Sequence, residues 1–488
     1  MASPLCTTWA DVEKHILRPL QTRPLSAATV SEPLTCEGLR QYQNQVQSLV
    51  ASYGKGEDGV LNTLRYMFQH MRCGILVSIR AGGLFLFCPF ANVRYQNTWH
   101  HKLVFSGGSE DLYVAEKSRL TRKRPEPWIP RLQWWMNGGI LCNVMPDDVW
   151  GKSHQAELID MLTSTCKNHV IPDCDFFINK RDFPHMKLSR TDPYTAFTGD
   201  TDLKREKYSH YAPILSFYTG QQFADVPIPL TEDWKLVTSP FPAEDNWEST
   251  AQVAVFRGSA TGYGIQPESN TRIALVLWAR EHEDLVDAKF VSYNYRDKAV
   301  YADEATIVVD FLRPATLGLP ALSAWMPLPA QTAAFRYLLY VDGHCASNRY
   351  GALMMAGRVI LKVQSTGEAN MQWLFYDLVP ASVDSGDATV PCDADHFNIL
   401  PDFSNLEATI TYLRSHDDVA KKVAMNARAK APSTEKITGA MAMALSEIGK
   451  LQTDLETCPG KIWFSPYDAR YSQLGRLDDS LRFVSLTI

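Results

Sequence analysis

Hydrophobic residues in the first half of the chain predict helices and short strands. Residues 36–52 and 153–168 carry apolar side chains at the three- and four-residue spacing of amphipathic helices. Residues 75–79, 84–87 and 175–178 are short apolar runs, which are typical of buried strands. The last of these runs leads into the polar sequence NKRDFP, so a turn is expected to follow that strand.

After residue 250 the pattern changes to a regular alternation of strands and helices. It predicts strands at 253–256, 337–341 and 359–363, and helices at 271–281, 347–356, 406–415 and 419–430. The short connections favour a mostly parallel sheet with helices on both faces. Such sheets bind ligands at the carboxyl ends of their strands, so the loops that follow the strands are the places to look for chemistry.

The length of the chain predicts more than one domain. A chain of 488 residues is too long for one ordinary core, so an α/β protein of two domains with a cleft between them is expected. Residues 227–247 contain four prolines and form the predicted crossing. We therefore predict an N-terminal domain at 1–235 with a helical extension, a C-terminal domain at 236–455, and a tail at 456–488 that packs back on the first domain.

Composition and charge narrow the class of protein. Apolar residues make up 45% and charged residues 21% of the chain, as in ordinary folded proteins. The net charge of −6 provides no general basic field, which disfavours nucleic acid as a partner. The sequence has no secretory leader, no apolar run near the ~20 residues that span a bilayer, no CxxC pair and no Asn-x-Ser/Thr site. We expect a cytoplasmic protein without a membrane span.

The clearest candidate site is the sequence YVDGHCASNRYG at residues 340–351. A strand is predicted to stop at Asp342 and Gly343, and Ser347 is suited to cap the helix that follows. The N–H groups of that helix start, together with Arg349, could neutralise a diphosphate. An ordinary strand–helix junction with a surface arginine explains the same residues equally well, so both interpretations stay open.

A second candidate is the sequence FRGSATGYG at residues 256–264. Arg257 precedes Gly258, whose small size permits close approach of the backbone to a ligand, and Ser259 and Thr261 supply hydroxyls. Arg272 follows as a helix begins. The sequence matches neither the P-loop nor the dinucleotide fingerprint, and a flexible turn is the alternative.

A third candidate is Asp182, at the end of the strand predicted at 175–178. A carboxylate there could take a proton from an attacking hydroxyl, although an aspartate that stabilises its own turn before Pro184 is the simpler interpretation. The nearby Asp173-Cys174-Asp175 has the spelling of a metal-binding DxD motif. It lies where the chain enters a strand, so no metal role is expected.

Together and in this order, the motifs resemble glycosyltransferase family 90, which contains protein O-glucosyltransferases and capsule glycosyltransferases. The resemblance begins with the tryptophan–glycine hairpin near Trp134 and extends to about Ala429. It includes PDCDFFINKRDFP, FADVPIP, VFRGSATG, the stretch from Arg336 to Ser365, and His396 before Ile399. It departs from the family in a longer loop between Gly262 and Arg272 and in an insertion at 381–395.

The resemblance implies a GT-B architecture with two Rossmann-like domains, the first for the acceptor and the second for the donor. It also implies inverting transfer of a sugar, glucose or xylose, from a UDP-sugar to a protein or glycan hydroxyl, with no cofactor and no metal. By position, Asp182 would be the general base. The donor would be held by Arg257, Gly258, Ser259, Thr261, Arg272, Asp342, Ser347 and Arg349. The alternative is a non-catalytic binding or scaffolding protein that retains this fold.

Overall fold

The chain folds into two compact units. The computed structural model describes residues 38–53, 63, 73–91, 113–114, 133–137, 140–144, 151–186, 188, 211–240, 246–262, 264–294, 298–301, 307–310, 312–384 and 387–453. Of the described residues, those at 38–91, 133–231 and 435–453 belong to the first unit, and those at 113–114 and 232–434 belong to the second. The predicted tail at 456–488 lies outside the described residues.

The helices of the described residues are α1 (Arg40–Ser52), α2 (Gly151–Asn168), α3 (Thr231–Thr238), α4 (Thr271–Glu281), α5 (Leu328–Ala334), α6 (Tyr350–Met355), α7 (Leu406–Ser415), α8 (Asp417–Ala429) and α9 (Thr434–Thr453). Two short 3-10 helices cover Trp247–Ser249 and Trp373–Asp377. Among the described residues, no helix combines the length and apolarity that a membrane crossing requires.

The strands are β1 (Cys73–Arg80), β2 (Gly83–Ala91), β3 (Tyr113–Val114), β4 (Gln133–Asn137), β5 (Ile140–Val144), β6 (Cys174–Ile178), β7 (Ile214–Ser216), β8 (Val226–Pro227), β9 (Ala251–Ser259), β10 (Val286–Ser292), β11 (Lys298–Tyr301), β12 (Ile307–Asp310), β13 (Phe335–Tyr340), β14 (Val359–Val363), β15 (Pro380–Asp384), β16 (Asp387–Thr389) and β17 (His396–Ile399).

The first unit contains a mixed sheet in the order β4–β5–β2–β1–β6–β7–β8. Strand β1 is antiparallel to β2 and β6, whereas β6, β7 and β8 are parallel to one another. Helix α9 packs against α1, since the buried hydroxyl of Tyr42 lies 3.2 Å from the carbonyl oxygen of Ala440. The side chain of Gln452 also binds the backbone N–H and C=O of Asp175 in β6. The last helix therefore completes this unit.

The second unit contains a sheet in the order β10–β9–β13–β14–β17–β15–β16. All neighbours from β10 to β15 are parallel, and β16 is antiparallel to β15. The mostly parallel sheet predicted from the sequence is confirmed. Helices α4, α7 and α8 bury their apolar stripes in the core of this unit, with Ile273, Ile410 and Val423 each at most 1% exposed. Strands β11, β12 and β3 form a small antiparallel sheet.

The helix predicted at 347–356 is a correction. The structure begins α6 only at Tyr350, and neither Ser347 nor Arg349 caps it through a side chain. The N–H of Ser347 donates instead to the hydroxyl of Tyr340 at 2.6 Å and to Asp342 Oδ1 at 3.2 Å, so these contacts hold it in the loop. The end of the helix was predicted correctly, because Gly357 has a φ of 65° just after Ala356.

Candidate donor site and the loop of Asp182

Three neighbouring strands of the second unit, β9, β13 and β14, end at one edge of the sheet because they run parallel. The loops that follow them and the start of α4 enclose a pocket. It is lined by Gly262, Ser269, Asn270, Thr271, Asp342, Gly343, Ser365, Thr366 and Gly367. Backbone N–H groups and hydroxyls can approach a ligand closely in such a glycine- and serine-rich lining. This is the edge at which α/β sheets bind ligands.

Arg272 ties the loops around this pocket together. Its Nε donates to the carbonyl of Asp342 at 2.9 Å, and Nη2 donates to that of Val341 at 3.0 Å. Its Nη1 donates to the carbonyl of Ser259 at 3.1 Å and to Thr261 Oγ1 at 2.5 Å. Four of its five N–H groups thus bind protein oxygens, and the residue is only 7% exposed. Arg272 therefore holds together the segments that follow β9 and β13.

Arg349 lies beside Arg272 and is half-buried. Its Nη1 donates to the carbonyl of Arg257 at 2.8 Å. The Cζ atoms of Arg349 and Arg272 lie 5.8 Å and 5.6 Å from the centroid of the Phe256 ring, so one aromatic side chain contacts both guanidinium groups.

Within the described part of the chain, neither Arg272 nor Arg349 forms an ion pair with a carboxylate. Arg257 differs, because its Nη2 lies 2.5 Å from Asp287 Oδ2 on β10. Burial, and secondly the charge of Arg349, lowers the pKa of Arg272 to about 10, and burial lowers the pKa of Arg349. Buried cations are normally paired with anions. The site therefore carries positive charge that a bound anion would balance.

Asp342 is the carboxylate nearest to this charge. It accepts hydrogen bonds from the side chains of Tyr340 and Ser365 and from the N–H of Ser347. Burial nevertheless raises its pKa. The next residue must be glycine, because a Cβ on Gly343 would lie 2.9 Å from the hydroxyl oxygen of Thr261. Asp342 thus forms part of the pocket wall.

The remaining residues predicted from the VFRGSATG sequence lie at the end of β9. Ser259 Oγ lies 2.6 Å from Ser292 Oγ on β10. A Cβ on Gly258 would lie 2.8 Å from the ring of Phe256, so no larger residue fits there. The side chain of Arg257 is directed to β10, and of the segment at 256–262 only Gly262 lines the pocket.

Asp182 lies in the first unit, in an exposed bend after β6. Asn179 closes this bend, because its Nδ2 donates to the carbonyl of Phe183 at 2.8 Å and its Oδ1 accepts from the N–H of Arg181 at 2.8 Å. His185 Nε2 lies 2.7 Å from the same Oδ1. The bend is thus fixed on both sides of Asp182.

Asp225 stabilises the residues that follow this bend. It was not among the site residues predicted from the sequence. Its buried carboxylate accepts from the N–H groups of His185 and Met186 and from the hydroxyl of Ser216. Burial raises its pKa to about 6. The available signal was its place in FADVPIP, where an acidic residue stands among apolar neighbours.

A second overlooked carboxylate is Asp233 on α3, in the second unit. It is 1% exposed, and its Oδ2 accepts from Trp373 Nε1 at 2.7 Å. Burial raises its pKa to about 7. A Cβ on Gly351 would lie 2.1 Å from its Oδ1, so α6 approaches this carboxylate closely just after Arg349. No local pattern in the sequence marks Asp233.

The Asp173-Cys174-Asp175 sequence has a structural role. Asp175 Oδ2 lies 2.8 Å from Arg80 Nη2, and Asp173 Oδ1 accepts from the N–H of Ala81 at 2.7 Å. Across the residues that the structure describes, no group of three or more His, Cys, Asp or Glu side chains is arranged to hold a metal ion.

Comparison with known proteins gives related sequences from viruses and animals. Protein 035R of Invertebrate iridescent virus 3 is 29% identical over 393 residues, which is 75% of this chain and 34% of that protein. Protein 027R of Frog virus 3 is 24% identical over 81% of this chain and 43% of its own length. Mouse protein O-glucosyltransferase 1 is 25% identical over 52% of this chain and 56% of its own length.

The chain thus spans less than half the length of these viral relatives and about half that of the mouse enzyme. The sequence profile of glycosyl transferase family 90 matches residues 152–457. This match contains the bend of Asp182 and the whole pocket of the second unit. Because it covers well over half of the chain, the protein belongs to glycosyl transferase family 90, and the resemblance found in its sequence is confirmed.

Proposed function

We propose that the protein transfers a sugar from a UDP-sugar to a hydroxyl acceptor, as an inverting enzyme of the GT-B class that needs no metal. The observation that carries this proposal is the pair Arg272 and Arg349, whose guanidinium groups bind carbonyl oxygens near the end of β9 and form no ion pair with a carboxylate among the described residues. Two guanidinium groups can neutralise a diphosphate in the way a divalent ion does elsewhere.

In the proposed reaction, the Asp182 carboxylate takes the proton of the acceptor hydroxyl. The acceptor oxygen forms a bond to the anomeric carbon as the bond from that carbon to the β-phosphate oxygen breaks. UDP leaves with the bonding electron pair, and Arg349 together with Arg272 stabilises the charge that develops on it. A single displacement inverts the anomeric carbon. Glucose and xylose are the proposed sugars, and a protein or glycan the proposed acceptor.

The first test is a thermal-shift screen of UDP and UDP-sugars, because a ligand that binds only the folded state raises its melting temperature. A UDP-release assay then follows turnover with candidate acceptors. We expect Asp182→Asn to retain UDP affinity and to lose about 10²- to 10⁴-fold in turnover. Asp160→Asn is the matched control, since Asp160 is an exposed carboxylate on α2 of the same unit.

Arg349→Met tests the other half of the proposal. We expect it to weaken UDP binding about 10-fold or more, because a charge-assisted hydrogen bond is lost. Equal turnover in Asp182→Asn and the parent would reject Asp182 as the base. UDP binding without transfer to any acceptor would favour the alternative, a non-catalytic binding protein.

A further inference from the structure

Lys362 is a cation that the proposed mechanism does not use. It lies on β14, where its Cα is paired with Tyr340 of β13 and Asn398 of β17. Its Nζ lies 4.4 Å from the ring centroid of Phe375 and 6.0 Å from that of Tyr340. The ammonium group is therefore held against aromatic faces, and Lys362 lies three residues before Ser365, which lines the pocket.

The ammonium of Lys362 has no acceptor within the described chain. No hydrogen bond from Nζ is formed there, and no carboxylate lies within 4.0 Å of it, although Asp342 and Asp395 are near enough to act through their charge. Asp395 is engaged by His396 at 2.6 Å and by Lys430 at 2.7 Å. Burial accordingly lowers the pKa of Lys362.

Other lysines of this unit differ from Lys362. Lys289, Lys421 and Lys430 each lie within 3.0 Å of a carboxylate oxygen. An ammonium that is removed from water without acceptors is costly, and ring faces compensate only in part. The missing acceptors are those that an anionic ligand would provide.

Tyr340 relates this cation to the two arginines. Its ring faces Lys362, and it is close enough to Arg272 and Arg349 to act on their pKa values. Asp342 is likewise near both Arg272 and Lys362. Arg272 and Lys362 thus both lie near one carboxylate, Asp342, whose hydrogen bonds come from neutral groups.

We propose that Lys362 is a third cation of the donor site and that its ammonium binds an anionic oxygen of the donor. This inference rests on the proposed function. The oxygen belongs either to the diphosphate or to a carboxylate on the sugar, as in a uronic acid. The two sources share one chemistry, an anionic oxygen that accepts a charge-assisted hydrogen bond.

The test compares Lys362→Met and Lys362→Arg with the parent by calorimetry, using UDP, pyrophosphate, UDP-glucose and UDP-glucuronic acid. Methionine keeps the chain length and the contact with Phe375 but removes the charge. We expect Lys362→Met to weaken binding about 10- to 100-fold with no loss of melting temperature, and Lys362→Arg to restore part of it. Lys421→Met is the control, because Lys421 is an exposed lysine with its own aromatic neighbour, Trp247.

The possible results separate the role of Lys362 from the proposal that UDP-sugar is the donor. Weaker binding of UDP and pyrophosphate assigns Lys362 to the diphosphate, whereas weaker binding of UDP-glucuronic acid alone assigns it to the sugar. Unchanged affinities in Lys362→Met, with normal binding by the parent, overturn the role of Lys362 only. Binding of pyrophosphate without UDP overturns the UDP donor and leaves Lys362 as an anion ligand. If the parent binds none of the four compounds, both proposals fail.

Discussion

Asp233 makes the second unit sensitive to pH, and Asp233→Asn should remove that sensitivity. Asparagine resembles the protonated carboxyl group in size and still offers an oxygen to Trp373 Nε1, which donates to Asp233 at 2.7 Å. Its oxygen can also occupy the space beside Gly351. The substitution therefore replaces a group that titrates with one that does not, at nearly unchanged packing.

The magnitude follows from the pKa of Asp233, which burial raises from 3.8 to about 7. Because the folded state holds the proton more tightly, the stabilisation from this group is complete below pH 4 and is lost as the pH rises to about 7. The loss is about 1.4 kcal/mol per pH unit, or roughly 4 kcal/mol in all. Above pH 7 both states are ionised, and the difference between variant and parent stays constant.

The assay is urea denaturation of the parent and of Asp233→Asn at several pH values from 4.5 to 8.5. We expect the variant to gain stability over the parent by about 3 kcal/mol between pH 5 and pH 8. Asp418→Asn is the matched control, since it removes an exposed carboxylate on α8 of the same unit. A difference between Asp233→Asn and the parent that does not change with pH would refute the reasoning.

Three further substitutions test the contacts around the two candidate regions. Thr261→Val removes an oxygen to which Arg272 donates, and urea denaturation should show a loss of about 1–2 kcal/mol. Gly351→Ala places a methyl group against Asp233, and we expect about 1–3 kcal/mol of destabilisation, measured as a lower melting temperature. An unchanged melting temperature would mean that α6 can shift to accommodate the methyl group without cost. Asp225→Asn replaces one carboxylate oxygen, which accepts from the backbone N–H groups of His185 and Met186, by an amide group that can only donate. We therefore expect the free energy of unfolding to fall by about 1–3 kcal/mol at neutral pH. We also expect slower turnover with unchanged UDP affinity.

Two helices of the second unit were predicted at their observed bounds, whereas the helix predicted at 419–430 is observed at Asp417–Ala429. Helices α4 and α7 agree to the residue with the predictions at 271–281 and 406–415. Strand β10 was missed, because Asp287 and Lys289 interrupt its apolar pattern. The structure explains their presence, since Asp287 forms ion pairs with Arg257 and Lys289. Such a cross-strand charge pair cannot be recognised before the strands are known to be neighbours.

The sequence predicted which residues belong to the candidate site but not which atoms they contact. The sequence indicated that Arg272 lies at the start of a helix, and the structure agrees. That its donors bind carbonyls of Ser259, Val341 and Asp342 depends on segments that only the fold brings together. Lys362 was passed over for the same reason, because a lysine in a strand gives no sign that it lacks acceptors.

The position of α9 affects how the chain can fold while it is synthesised. Among the described residues, the first sheet ends in sequence with β8 at Pro227, whereas the helix that packs against α1 begins at Thr434, after residues 232–433 of the second unit. Nascent chains commonly fold from their N-terminal end. Because α9 is synthesised after residues 232–433, the face of the first unit that α9 covers stays open until the sheet of the second unit has left the ribosome.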